Sequence, residues 1–411
     1  MAMLSPDDRH RMARTSASAA PDRLEPPSGT PASISRVAAD ASPRAPTILP
    51  GIELLRGFAA LSVLVLHVVL IGQWDRFPTQ GPLAWFRVGW LGVDIFFVIS
   101  GLVVTLSVLR ERDRAPSGAV ARFLTRRAAR ILPLYLLTLL ASLVAINAET
   151  LRGSDAPFQV LTHVLLIHNL FPGTAGSIDG PNWSIGTEVQ LYLMLALLSP
   201  WLMRAKPARV ALAFLVLAMT YRWVAYSLVT RTFGIDDTNL ISHFATQAPG
   251  MSDAFGLGIA MALLLRRGAL PTPTTAGWFA AFAAGVAGLT LCQQLLVTFG
   301  PVYWHNLWTV VGFRSLAAVA CALLVYAAVR VPAPVMQALP RGLTYLGTIS
   351  YGIYLWHMPV LVVAQRQGFR AGSLLLVTLA GTLVLATASW ELYERRWIAR
   401  GRRWSSVPTP A

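Results

Sequence analysis

The sequence predicts an all-α polytopic membrane protein, with about ten transmembrane helices around a polar cavity, and three observations carry that prediction. Of the 411 residues, 55% are hydrophobic and only 13% are charged, and the mean hydropathy is +0.55, a combination that soluble domains rarely show. Apolar runs of about 20 residues, long enough to cross a hydrocarbon core of roughly 30 Å, recur along the chain. Basic residues cluster between alternate runs. This last pattern also excludes the nucleic-acid partner that a formal charge of +15 would suggest. With a single lysine, Lys206, and arginines gathered in connections, the charge suits loop orientation better than phosphate tracking.

Taken in order, residues 1–47 are rich in Ala, Ser, Pro and Arg, hold six Arg against five Asp and Glu, and contain no apolar core. They read as a disordered cytosolic tail rather than a signal peptide or an anchor. Residues 48–400 form the transmembrane domain, and 401–411 a second short cytosolic tail. Within the domain, spans are expected near 52–72, 89–109, 131–148, 183–203, 209–229, 248–265, 276–297, 307–329, 343–364 and 372–391. The run 158–171 is apolar but too short to cross, and reads as re-entrant or interfacial. Cys292 and Cys321 lie in separate apolar runs without ligand spacing, and read as buried thiols.

Arginine placement orients the bundle, since short cytoplasmic loops carry excess Lys and Arg. With both termini inside, the clusters Arg110–Arg130, Arg204–Arg209, Arg266–Arg267 and Arg395–Arg403 all fall on the cytosolic side of an inner membrane. The tryptophans Trp85, Trp90, Trp183 and Trp304, near the other ends, read mostly as interfacial anchors.

An ionisable side chain inside a transmembrane helix costs at least a few kcal/mol, so each one marks a candidate site. His67 lies eleven residues beyond Arg56, about 16 Å along the same helix and close to three full turns, so the two share a face. Asp94, Glu188, Asp253, Arg314 and His357 add five more such groups from five further helices, expected at similar depth around one polar cavity. His163 and His168 are five residues apart, off the four-residue spacing that puts two ligands on one helical face, and no metal site is expected.

Several strings, in order, strengthen one resemblance: the Arg56 to His67 spacing, GWLGVDIFFVISG at 89–101, RRAARILPLY at 126–135, NWSIGTE at 182–188, SYGIYLWHMP at 350–359 and ELYERRWI at 391–398. Over about 51–400 the chain resembles the acyltransferase-3 family of bacterial integral-membrane O-acyltransferases that modify cell-surface sugars. It departs at Glu394, Arg395 and Arg396, where family members often have Glu, a basic residue and Pro. Many members also carry an added periplasmic transfer domain; this sequence stops soon after the last expected helix, which implies that it completes transfer itself or hands over to a separate protein.

The resemblance implies transfer of an acyl group, most often acetyl, from acyl-CoA to a sugar hydroxyl of a surface polysaccharide or glycolipid. O-antigen, exopolysaccharide and lipid-linked oligosaccharide are all suitable acceptors. His67 would act as general base, with Asp94 or Glu188 holding its tautomer, or would itself carry the acyl group transiently. Arg56, Arg126, Arg127 and Arg130 would bind the phosphates of the donor, and Trp183, Asp253, Arg314, Tyr351 and His357 would contact the acceptor. A secondary transporter or exporter, with polar residues near the midplane, is the alternative of another class. Oligomeric state is not legible.

Overall fold

The first span begins at a proline. Pro50 occupies the first turn of helix α1 (Pro50–Ile71), where a missing N–H costs nothing, and Glu53 faces the positive end of the helix dipole. This computed structural model describes residues 49–406; the expected tails at 1–47 and after 406 lie outside the described residues. Among the described residues there are no strands. Nine helices among the described residues are long and apolar enough to cross a membrane, or ten when one bent pair counts as a single span.

In chain order the spans are α1, α2 (Leu91–Arg114) and α3 (Ala119–Ala145). A short helix α4 (Ala156–Val164) precedes α5 (Trp183–Leu202) and α6 (Pro207–Phe233). A second short helix, α7 (Thr238–Ala245), leads into α8 (Ser252–Arg266), α9 (Thr275–Phe299) and α10 (Arg314–Val329). The chain closes with α11 (Ala333–Ala338), α12 (Arg341–Thr348), α13 (Ser350–Arg366), α14 (Ala371–Ser389) and α15 (Arg395–Trp404). Helices α2 and α8 are buried along most of their length, whereas α6, α9 and α14 leave most of theirs to the surroundings. Two π-helical turns interrupt the pattern, Thr309–Phe313 leading into α10 and Trp390–Glu394 between α14 and α15.

The central crossing of α2 and α8 depends on small residues. A Cβ at Gly101 would lie 2.1 Å from the Phe255 carbonyl oxygen, and one at Gly258 2.1 Å from that of Val98. Only glycine permits this approach, the usual device for helix association in lipid. Gly89 does the same where the chain enters α2, since a Cβ there would stand 2.1 Å from the Ser62 carbonyl oxygen. That approach presses Trp85 and Trp90 against α1, and the Trp85 indole donates to Ser62 Oγ at 2.9 Å.

Three boundaries differ from the expected ones. Helix α3 starts at Ala119 rather than near 131, so Arg126, Arg127 and Arg130 stand on the helix itself. Arginine and alanine are good helix formers, and the early turns bury Phe123 and Ala129, so the helix outruns its apolar window. At the other end, the tail expected from 401 is part of α15, which lies against α3 with Gly401 fitted to the Ala129 side chain. The span expected at 343–364 is broken: α12 and α13 meet at 74°. His357 therefore sits only seven residues into α13, about 10 Å from its start, because α13 begins inside the bundle.

The connection from α3 to α5 folds back without crossing, as its length required. The His163 and His168 rings stack with centroids 4.2 Å apart, and each donates to a backbone carbonyl, of Gln159 at 2.7 Å and Asn182 at 3.0 Å. Burial pushes both rings below the ordinary imidazole range, His168 to about 4. Asp179, 3% exposed, accepts from Ser142 at 3.2 Å. Burial pushes its carboxyl up to about 7, and the Ser142 hydroxyl offsets only part of that.

Two predictions follow from this packing. Because the folded Asp179 carboxyl holds its proton to higher pH than the unfolded one at 3.8, its contribution to stability falls as pH rises from about 4 to about 7 and then levels off, while the buried His163 and His168 act in the opposite sense below about 6.5. In thermal unfolding in detergent, the stability of wild type relative to Asp179→Asn, which still accepts from Ser142 and leaves the histidines in place, declines across that window. In the second case, Arg222 is fully buried and donates to Asp253 at 2.7 Å and to the Gly250 carbonyl at 2.9 Å. Arg222→Met strands the Asp253 carboxylate and lowers stability by about 3–5 kcal/mol, whereas the double change with Asp253→Leu recovers most of the loss.

Candidate active site

The histidine of α1 opens onto a cavity of about 310 Å3, near the lower end of small-molecule sites, which run from roughly 300 to 1,000 Å3. Its walls include His67, Trp90, Trp183, Arg314, Tyr354 and the Gly180–Pro181 turn. Each wall has a local cause. Gly89 brings Trp90 in, the Thr309–Phe313 turn sets Arg314, and the Gly180–Pro181 turn is clamped by the Tyr354 hydroxyl, which donates to the Pro181 carbonyl at 2.9 Å.

His67 meets another histidine. The His67 Nδ1 to His357 Nε2 distance is 3.0 Å, while His357 Nδ1 lies 2.5 Å from the Tyr354 carbonyl oxygen. A carbonyl can only accept, so His357 carries its proton on Nδ1. With both rings neutral, His357 Nε2 is then the acceptor, His67 Nδ1–H the donor, and the lone pair of His67 is left on Nε2. The backbone of α13 thereby fixes the tautomer of a side chain on α1. The expected partners of His67 are elsewhere, since neither Asp94 nor Glu188 reaches it: no hydrogen bond joins either to that ring among the described residues.

The six ionisable groups expected around one cavity divide into three sets. His67 and Arg314 line the cavity, and His357 stands buried behind His67. Asp94 is 1% exposed, behind the wall, with Oδ2 3.9 Å from Arg314 Nη2. Asp253 is committed to Arg222 and to Ser315 at 2.8 Å, a structural pair rather than a cavity contact. The Tyr351 hydroxyl donates to the Ile131 carbonyl at 3.0 Å and fastens α13 to α3. Trp183 lines the cavity as expected.

Glu188 belongs to the third set, nearer the arginine-rich end. Its carboxylate accepts from both Ser100 and Tyr192, and the charges acting on Arg56 and Arg127 include Arg130 and Glu188. Arg56 also donates to Glu53 at 3.3 Å. Glu394, on the second π-turn, is 5% exposed and feels Arg56 and Arg130. Arg56, Arg127 and Arg130 thus form one cluster with acids among them. Arg126 does not join it: its guanidinium bonds Ser405 Oγ at 2.6 Å and Glu111, tying α3 to α2 and α15.

Sequence reasoning missed four contributors. Arg222 is a lone charge inside an apolar run, a signal that was present and overlooked. Trp90 fits mostly an interfacial anchor by sequence, yet it lines the cavity. Tyr354 and Glu394 lie inside motifs that were noted for resemblance, but neither residue was assigned a part.

Residues 49–393 match the acyltransferase-3 family, described as an acyltransferase domain. The chain is 26% identical over 379 residues to the putative peptidoglycan O-acetyltransferase YrhL of Bacillus subtilis, covering 86% of this chain and 56% of that protein. It is 24% identical over 367 residues to the peptidoglycan O-acetyltransferase OatA of Listeria monocytogenes, covering 84% and 55%. With the O-acetyltransferase OatA of Staphylococcus aureus it shares 23% over 365 residues, covering 85% and 57%. The chain therefore spans little more than half the length of these relatives. No solved structure matches it. With the family's motifs lying on the helices that build the cavity and the arginine cluster, the chain belongs to the acyltransferase-3 family of integral-membrane proteins.

Proposed function

We propose that the protein is an O-acyltransferase of the cytoplasmic membrane that moves an acyl group, acetyl by preference, from acyl-CoA to a hydroxyl of a cell-surface glycan. The arginine-rich end faces the cytosol in this reading. One observation carries the proposal: a histidine whose tautomer is set from outside, and which lines a cavity, stands about three turns along the same helix from Arg56 in a half-buried arginine cluster. The relatives' printed names supply acetyl as the group and peptidoglycan as one acceptor of this kind.

In the reaction, His67 Nε2 takes the proton of the acceptor hydroxyl as its oxygen attacks the thioester carbonyl carbon. The carbon–sulfur bond breaks, and the imidazolium returns the proton to the departing thiolate. Atoms and charge balance without a further reactant. His357 does not touch the acyl group; it holds the His67 tautomer and shares the charge that forms on it. Arg56, Arg127 and Arg130 would receive donor phosphate, for which guanidinium forks are suited, and the thioester would extend from there toward His67. Metal chemistry is not required by any of these steps.

Two measurements test this with purified protein in nanodiscs. His67→Ala abolishes acetyl-CoA turnover, and His357→Phe lowers kcat by about 10²-fold or more with little change in KM for the donor, the scale of a general base left in the wrong tautomer. Wild-type turnover by His67→Ala would sink the assignment. Arg56→Gln and Arg130→Gln raise KM for acetyl-CoA by about tenfold or more, the loss of one charged hydrogen bond, while Arg126→Gln leaves KM unchanged. An Arg56→Gln protein with unaltered donor affinity and turnover would remove the donor site from this cluster.

A further inference from the structure

Among the described residues that line the cavity, His67 and Arg314 are the only ones able to carry a positive charge. Arg314 is 6% exposed and its guanidinium lies over the Trp90 ring, 4.9 Å from the centroid. Its nearest carboxylate is not bonded to it. Asp94 Oδ2 stands 3.9 Å from Nη2, beyond hydrogen-bond range, and both Arg314 Nε and Asp94 Oδ2 lack any hydrogen-bond partner. The neighbouring acid, Asp253, is already held by Arg222 at 2.7 Å and Ser315 at 2.8 Å. A buried guanidinium with donors unspent and its counter-charge held off is costly in a membrane interior.

The backbone adds a second, independent sign. Residues Thr309–Phe313 form a π-helical turn that ends at Arg314. The extra residue rotates everything after it by about 100° relative to a continuous α-helix, and such turns recur at functional positions. The rotation brings to the cavity an arginine that lies over Trp90, with Nη1 against the weakly accepting Met251 sulfur and Nε without a partner. That arrangement suits a planar or tetrahedral anion, which accepts two parallel N–H bonds, better than a neutral hydroxyl.

We infer that the acceptor carries an anionic group, a carboxylate or a phosphate on the sugar, which pairs with Arg314 while the hydroxyl to be acylated faces His67 and the ring lies between Trp90 and Trp183. The inference rests on the reading of this cavity as the acceptor site of an acyltransferase. It assigns the acceptor's charge class, and assigns to Arg314 the discrimination between charged and neutral glycans.

The test uses the full-length protein in nanodiscs, acetyl-CoA as donor, and methyl glucoside, methyl glucuronide and glucose 1-phosphate as acceptors. Wild type favours at least one anionic sugar over the glucoside by tenfold or more in kcat/KM. Preference for the glucuronide alone assigns a carboxylate, and for the phosphate alone a phosphate. In Arg314→Gln the ratio of anionic to neutral turnover falls toward one, and Arg314→Lys restores part of it. Fluorescence titration of wild type with the same three sugars gives a check that needs no variant, the anionic ones binding more tightly and losing that advantage as salt rises. Equal use and equal binding of all three sugars by wild type overturns the inference and leaves the acyltransferase standing. A preference that persists in Arg314→Gln overturns the role of Arg314. Failure to turn over acetyl-CoA under any condition removes the underlying reading and this inference with it.

Discussion

A charge placed within a bilayer has to find its partner inside the same protein, because neither water nor lipid will supply one, and the arrangement of this bundle follows from that constraint. Arg222 on α6 reaches Asp253 on α8 and Ser315 on α10, so one ion pair ties three helices at one depth. Glu111 gathers Arg114, Arg122 and Arg126, closing α2 onto α3 at the arginine-rich end. The glycines at 101 and 258 let α2 and α8, which carry Glu111 and Asp253, approach to backbone contact, so the helices that hold these two acids are fixed against each other. At the cavity the pairing is incomplete, since Arg314 Nε has no partner and Asp94 stands 3.9 Å from its guanidinium.

The histidine pair extends the same logic to a proton. An imidazole can act as base only if one nitrogen is free, and which one is free depends on what the other touches. Here the decision is made two steps away, by a backbone carbonyl of α13 that cannot donate. The bend between α12 and α13 is what makes this possible. It starts α13 within the bundle, so that residue 357 meets residue 67 even though they enter from helices of different depth. A straight span would carry His357 farther along and leave His67 only the Val63 carbonyl of its own helix.

Much of this was legible in the sequence, and the failures have physical causes. The spans, the Arg56 to His67 spacing and the short fold-back at 158–171 follow from hydropathy and helical rise, which are local. Partner choice is not local. His67 and His357 are 290 residues apart, and no spacing rule predicts their contact; a carboxylate was the expected partner because carboxylates usually fill that place. The single polar cavity was over-read for the same reason: depth alone could not separate a charge that is paired off, such as Asp253, from one that is exposed to a cavity, such as Arg314. Breaks in helical phase were also invisible. Neither the π-turn before Arg314 nor the one ending at Glu394 has a sequence signature in an apolar run, yet each decides which way a charged side chain faces.

The vertical order of the charges bears on how one helix could serve two compartments. The arginine cluster contains its own acids, Glu53, Glu188 and Glu394, so it is not a bare anion trap, and a phosphate must compete with carboxylates for the same guanidinium groups. Competition of that kind favours reversible seating, since release returns Arg56 to Glu53 and leaves the neighbouring carboxylates to offset the other charges. The cavity is built in the opposite sense: Arg314 has no bonded acid to fall back on. On the proposed reading, then, the donor end is balanced for exchange and the acceptor end for discrimination. His67, with a fixed tautomer and no formal charge of its own to satisfy when neutral, sits between the two.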